Sequence, residues 1–159
     1  MAKLKFSTGF FEIKLTPSFE ADGGKWFPIN ILFSIANDDI LNIENKQEIH
    51  LTQNDISRLI ENTKQFINLR VNIDDNFPVV SIDEFTFVPM ELGFQFSCLD
   101  GDVDKNLFGE ITLRIMINLE LIRKNLSSTY VGAEFNVDAQ TLIRFLQDME
   151  REFLHLPTS

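Results

Sequence analysis

"FNVDAQTLIRFLQDMEREF", residues 135–153, reads as a strand that runs straight into a capped helix. Phe135 and Val137 alternate with Asn136, the pattern of a half-buried strand. Asp138 is a good N-cap, and Leu142, Phe145, Leu146 and Phe153 follow at helical spacing. The stretch "IHLTQNDISRLIENTKQFI", 49–67, repeats the device 86 residues earlier (135 − 49). Ile49 and Leu51 match Phe135 and Val137, and Thr52 matches Asp138. Ile56, Leu59, Ile60 and Ile67 match the four apolar helix positions, while Arg58 matches Arg144 on the outer side. Thr52 precedes Asp55 by three residues, close to a capping-box spacing. Neither junction carries a glycine loop, so neither is a phosphate cradle. The repetition follows from two helices that need the same apolar stripe to cover one sheet.

Working outward, the remaining segments read as strands. "FFEIKL" (10–15) alternates. "FPINILFSI" (27–35) puts Ile29, Ile31, Phe33 and Ile35 on one face, with Asn30 and Ser34 on the other. Between them "TPSFEADGGKW" carries Pro17, Gly23 and Gly24 and reads as a loop. After a turn cluster at 72–78 come "VVSID" (79–83), "EFTFV" (84–88) and "LGFQFSCL" (92–99), with Phe94, Phe96 and Cys98 on a shared face. "DGDVDKNLFG" (100–109) reads as a polar hairpin connection. "EITLRIMINL" (110–119) alternates with Ile111, Leu113, Ile115 and Ile117 inward, as an antiparallel strand with one wet face does. "RKNLSS" (123–128) turns the chain into "YVGAEFNV", and Pro157 stops the last helix. Strands, a helix, more strands and a final helix predict an α+β fold: a mostly antiparallel sheet of about six to eight strands with two amphipathic helices on one face. At 159 residues the prior of ~100–200 residues per domain makes 1–159 a single domain.

Of 18 aromatic residues 16 are Phe, so the chain spends its large side chains on packing and offers few ring hydrogen bonds. The N-terminal "MAKLKFSTGFFEIKL" has no apolar h-region, the longest apolar run is too short to span a bilayer, and one cysteine forms no intrachain disulfide. These features point to a cytoplasmic protein without a membrane segment, and "NLSS" at Asn125 is discounted as a glycosylation site. The formal charge of −10, from 14 Lys and Arg against 24 Asp and Glu, leaves no basic footprint for nucleic acid. It suits solubility, and it suits attraction of a basic protein partner.

Little in the sequence points to chemistry. His50 faces away from Ile49 and Leu51, His155 lies in the C-terminal tail, and neither has metal ligands nearby in sequence. Cys98, on an apolar strand face, reads as a small buried hydrophobe. Asp100, Asp102 and Asp104 open like a calcium loop, but the sixth position is Lys105 where Gly is needed, and the twelfth is Ile111 where Glu is needed. They read as a solvated turn, and as the carboxylates that would contact a basic partner. No catalytic residue, cofactor or metal site is assigned. A carboxylate-dependent enzyme and an interaction domain with another intracellular target stay open as alternatives.

"GAEFNVDAQTLIRFLQDMEREFLHLP" (132–157) resembles the C-terminal signature of the WapI-type immunity proteins, small bacterial proteins that protect a cell from a contact-delivered toxin. Asp138, Gln140 and Thr141 carry its Asp-Gln-Thr-like element, with Ala139 interposed. "KWFPINILFSI" around Trp26 looks like the family's early Trp and strand, with Lys25 where an Asp is common. "IHLTQNDISRLIENTKQFI" looks like its central strand and helix. The resemblance spans about three quarters of the chain. It implies a non-enzymatic inhibitor of one toxin domain; it carries over no catalytic residue and does not assign a binding face or an oligomeric state.

Overall fold

The structure is a computed structural model that describes residues 1–21, 24–36, 40–45, 48–71, 84–121 and 129–156. The expected turn at 72–78, the strand at 79–83, the turn at 123–128 and Pro157 lie outside the described residues. The fold is α+β and antiparallel, as the sequence predicts. Among the described residues, ten strands divide between two sheets.

The first sheet contains β1 (Ala2–Phe6), β2 (Gly9–Leu15), β3 (Phe19–Ala21), β4 (Gly24–Ile35), β5 (Leu41–Glu44) and β6 (Ile49–Thr52). Its axis is the 12-residue β4. On one side β4 pairs with β2 and then β3; on the other it pairs with β5 and then β6. Both flanks are broken, and the breaks explain two residues that look misplaced. Pro28 sits mid-strand, where a missing N–H costs a ladder bond. Its carbonyl accepts from the Thr16 N–H at 2.9 Å and the Thr16 hydroxyl at 3.0 Å, and the bond it cannot return falls where β2 ends. Asn45 fills the gap between β5 and β6. Its amide oxygen accepts from the Ile31 N–H at 2.6 Å, and its Nδ2 donates to the Ile29 carbonyl at 3.2 Å, as a strand backbone would.

The second sheet has the order β10-β9-β8-β7: β7 (Phe85–Phe87), β8 (Phe94–Val103), β9 (Gly109–Asn118) and β10 (Tyr130–Asp138). The register puts Phe94 opposite Ile117, Phe96 opposite Ile115, and Cys98 opposite Leu113, all buried. Two readings change here. "TPSFEADGGKW" contains β3 and the start of β4; at three residues β3 is too short for alternation to show. β8 runs on to Val103, so Asp100 and Asp102 belong to a strand and only 104–108 turns. A bulge between Cys98 and Asp100 shifts the register and turns both Asp side chains to the wet face.

α1 (Gln53–Arg70) and α2 (Ala139–His155) begin where β6 and β10 end. Thr52 caps α1 with a full capping box: its hydroxyl accepts from the Asp55 N–H at 3.0 Å, and the Asp55 carboxylate accepts from the Thr52 N–H at 3.1 Å. Asp138 caps α2 by accepting from the Thr141 N–H at 2.9 Å, which gives the Asp138–Thr141 element a structural role. The stripes read from sequence are buried at Ile56, Leu59, Ile60, Thr63, Phe66 and Ile67 in α1 and at Leu142, Phe145 and Leu146 in α2; Phe153 is only half-buried, and Met149, which the sequence reading did not include, is buried with them. α1 packs on β4 and β6 of one sheet and on β7 and β8 of the other; α2 does the same with β1, β2, β9 and β10. The helices therefore lie on the apolar faces of both sheets, and the buried residues form a single cluster.

The sheets meet at two seams. At one, β1 lies beside β10, with the rings of Phe6 and Phe135 stacked at 3.7 Å. At the other, the β7–β8 loop reaches the exposed edge of β6, where Glu91 meets His50.

Candidate functional site

With the apolar faces turned inward, the outer faces of the two sheets carry the chemistry. On the second sheet Asp102 lies directly opposite Glu110, and Glu110 directly opposite Asp138. Three carboxylates thus stand in a row across β8, β9 and β10, all exposed. Like charges placed directly opposite one another destabilise a sheet. One step along, Thr112 donates to Asn136 at 3.0 Å, and Asn136 donates to Glu110 at 3.1 Å. One further step along, Arg114 grips Glu134 with Nε at 3.2 Å and Nη2 at 2.9 Å.

The three sequence-selected aspartates have separate tasks. Asp100 pairs with Arg70 Nη1 at 2.9 Å; the guanidinium is largely buried at the end of α1 and stacks on Phe66, while the Asp100 carboxylate stays exposed. Asp104 organises the hairpin turn, its Oδ1 accepting from the N–H groups of Asn106 (2.7 Å) and Phe108 (2.9 Å). Such side-chain-to-backbone bonds are a standard use of Asp in turns. Asp102 is the member that projects from the strand into the carboxylate row. No set of three metal-ligating side chains converges among the described residues.

On the first sheet, the outer face at the β3–β4–β6 end is aromatic. Phe19 lies opposite Trp26, and its ring meets the His50 imidazole edge-on at 5.2 Å. Trp26 meets the same imidazole at 6.4 Å. Glu91 accepts the His50 backbone N–H at 2.7 Å and lies 3.2 Å from Nδ1 with each carboxylate oxygen. Glu48 stands 3.6 Å from Nε2. The backbone bond occupies an edge donor of β6, so Glu91 blunts that edge as well as joining the sheets. Sequence reading places His50 correctly on the wet face and misses Glu91, which comes from 41 residues away. A glutamate in a Pro-Met-Glu-Leu-Gly turn carries no periodicity that would single it out.

His155 is exposed at the end of α2. Cys98 is fully buried, and burial pushes its thiol up to about 12 against the smaller opposing effect of a hydrogen bond with Thr63. A thiol so placed is not a nucleophile at neutral pH. In the native protein it should resist thiol alkylation, with labelling kinetics that follow global unfolding; rapid labelling without unfolding would show that the β8 face opens locally. The sign of the pH effect is also set. Above its ordinary value of 9.0 the unfolded thiol ionises while the buried one stays neutral, so this group's contribution to stability is complete below pH 9 and falls as the pH rises towards about 12. Cys98→Ala should flatten that part of a stability–pH profile.

Compared with known proteins, the chain matches no family model and no curated sequence. No helix among the described residues is long and apolar enough to cross a membrane.

Proposed function

We propose that this chain is a non-enzymatic cytoplasmic binding protein that neutralises a toxin domain by direct contact, as the WapI-type immunity proteins do. The observation that carries the reading is the row Asp102–Glu110–Asp138. The register sets three acidic residues in one row across an exposed sheet face, which concentrates negative charge at one place on the surface. A basic partner would meet complementary charge there. It would also be drawn in by the field of a chain with a net charge of −10. Asp100 and Asp104 flank the row and complete the contacting carboxylates.

The test is to look for a toxin domain encoded beside the chain and, with such a domain in hand, to measure its association kinetics. The Debye length falls from ~30 Å at 0.01 M salt to ~8 Å at 0.15 M. The on-rate should drop steeply over that range while the off-rate changes less. Asp102→Asn combined with Glu110→Gln should slow association several-fold and leave thermal stability unchanged or raised. Adding Asp100→Asn and Asp104→Asn should slow it further, since Asn keeps an oxygen acceptor for Arg70 and for the turn. Failure of the neighbouring toxin to bind ends the immunity reading, and salt-independent association ends the electrostatic one.

A further inference from the structure

The outer face of the first sheet presents a second anomaly. One face of an antiparallel sheet is expected to be wet and polar. Here β3, β4 and β6 place Phe19, Trp26 and His50 together on that face. Phe19 is 39% exposed although it is a large aromatic. The Trp26 indole N–H is buried without a hydrogen-bond partner among the described residues. The rim is acidic: the Glu48 side chain is 70% exposed and that of Glu91 36%, and both converge on the imidazole. Met90, beside Glu91, is 68% exposed. Aromatic and Met side chains are enriched in interface cores, and energetic hot spots are rich in Trp.

We propose that the Phe19–Trp26–His50 patch, edged by Glu48 and Glu91, is the anchoring contact for a segment of a partner protein that carries an arginine or lysine between apolar residues. The inference rests on the reading of the chain as a protein binder and adds a contact apart from the carboxylate row. The pieces fit one occupant. A cation would gain from the aromatic rings and from the two carboxylates that stand at Nδ1 and Nε2 of the same imidazole. Apolar neighbours of that cation cover the exposed part of Phe19. An acidic segment meets Glu48 and Glu91 and is repelled. Pairing of cations with rings already occurs within this chain, where Lys3 Nζ lies 3.5 Å from the Phe10 ring centroid and Arg58 stands over Phe87 at 5.8 Å.

Trp26 is the only tryptophan, so its emission reports on this patch alone. The probe is a synthetic nonapeptide alternating Arg and Leu, with a Glu-for-Arg peptide as control. The Arg peptide should change Trp26 emission saturably, more weakly as salt rises, and the Glu peptide should not. Phe19→Ser, and separately Glu48→Gln with Glu91→Gln, should each weaken binding about fivefold, in line with an exposed cation–π or ion-pair contact. Glu61→Gln, an exposed carboxylate on α1 with no assigned role, should leave this binding nearly unchanged. Should Phe19→Ser melt early, Phe19→Leu takes its place, keeping the apolar bulk and removing the ring. Unchanged emission, an equal response to the Glu peptide, full binding by the folded Phe19 variant, or an emission change that tracks the protein's own concentration each overturns the proposal; the last would mean that a second copy covers the patch. If the peptide fails here while toxin association stays salt-steered, this anchor alone is lost; loss of both removes the binding reading itself.

Discussion

Phe11→Ala is expected to destabilise the protein by ~3–5 kcal/mol, the range for truncating a fully buried phenylalanine. Phe11 has no exposed surface. Its ring lies 6.1 Å from Phe33 on the neighbouring strand, 6.0 Å from Phe94 and 6.5 Å from Phe96 on the opposite sheet, and 6.1 Å from Phe145 on α2. It is therefore where both sheets and a helix meet. A cavity there has walls on three elements that cannot all relax inward, which places the cost at the upper end for the chemistry removed. Against a total of ~5–15 kcal/mol for ordinary domains the loss is a large fraction of the whole. Denaturant titration measures it, with an unchanged slope showing that the transition stays two-state. A loss below ~1.5 kcal/mol would mean that the two sheets close over the gap, and hence that they are less firmly tied at their seams than the Phe6–Phe135 stack and the Glu91–His50 bond imply.

The parts of this fold that could be read in advance were those whose information is local. The helix stripes from Ile56 to Ile67 and from Leu142 to Leu146 repeat at 3.6 residues, and their caps at Thr52 and Asp138 sit where the period changes. The inward faces of β4, β8 and β9 alternate for long enough to be unmistakable. Other features depend on distant parts of the chain. β3 and β5 have three and four residues, and they exist because β4 offers 12 residues of ladder to pair with. The division into two sheets depends on which strand edges meet, and alternation carries no such information. The same limit applies to the candidate site. Asp100, Asp102 and Asp104 catch the eye as a run of charges, yet the register is what groups Asp102 with Glu110 and Asp138 and gives Asp100 and Asp104 other tasks. Glu91 and Phe19, which converge on His50, belong to segments whose sequences show no shared pattern.

Gly109→Ala should cost more than the same change at Gly24, and the difference isolates how rigidly the β8–β9 hairpin holds its register. Both glycines have positive φ, +138° at Gly109 and +120° at Gly24, so an alanine at either is strained by ~1–3 kcal/mol. At Gly24 an added Cβ meets nothing within 4 Å. At Gly109 it would collide with the Asp102 carbonyl, a backbone atom inside the ladder that cannot swing aside. Relief requires the strands to separate where Asp102 faces Glu110, and separation there undoes the turn in which Asp104 accepts from Asn106 and Phe108. Gly24→Ala should therefore stay within the strain range, and Gly109→Ala should exceed it by 1 kcal/mol or more, on the order of a lost ladder bond and its unsatisfied partner. Thermal melts of the two variants measure the gap. If they cost the same, the hairpin yields to the methyl group without loss, and the carboxylate row is not held in fixed register. If Gly109→Ala is the costlier and the folded fraction also associates slowly with a basic partner, the rigid turn is what keeps Asp102, Glu110 and Asp138 side by side.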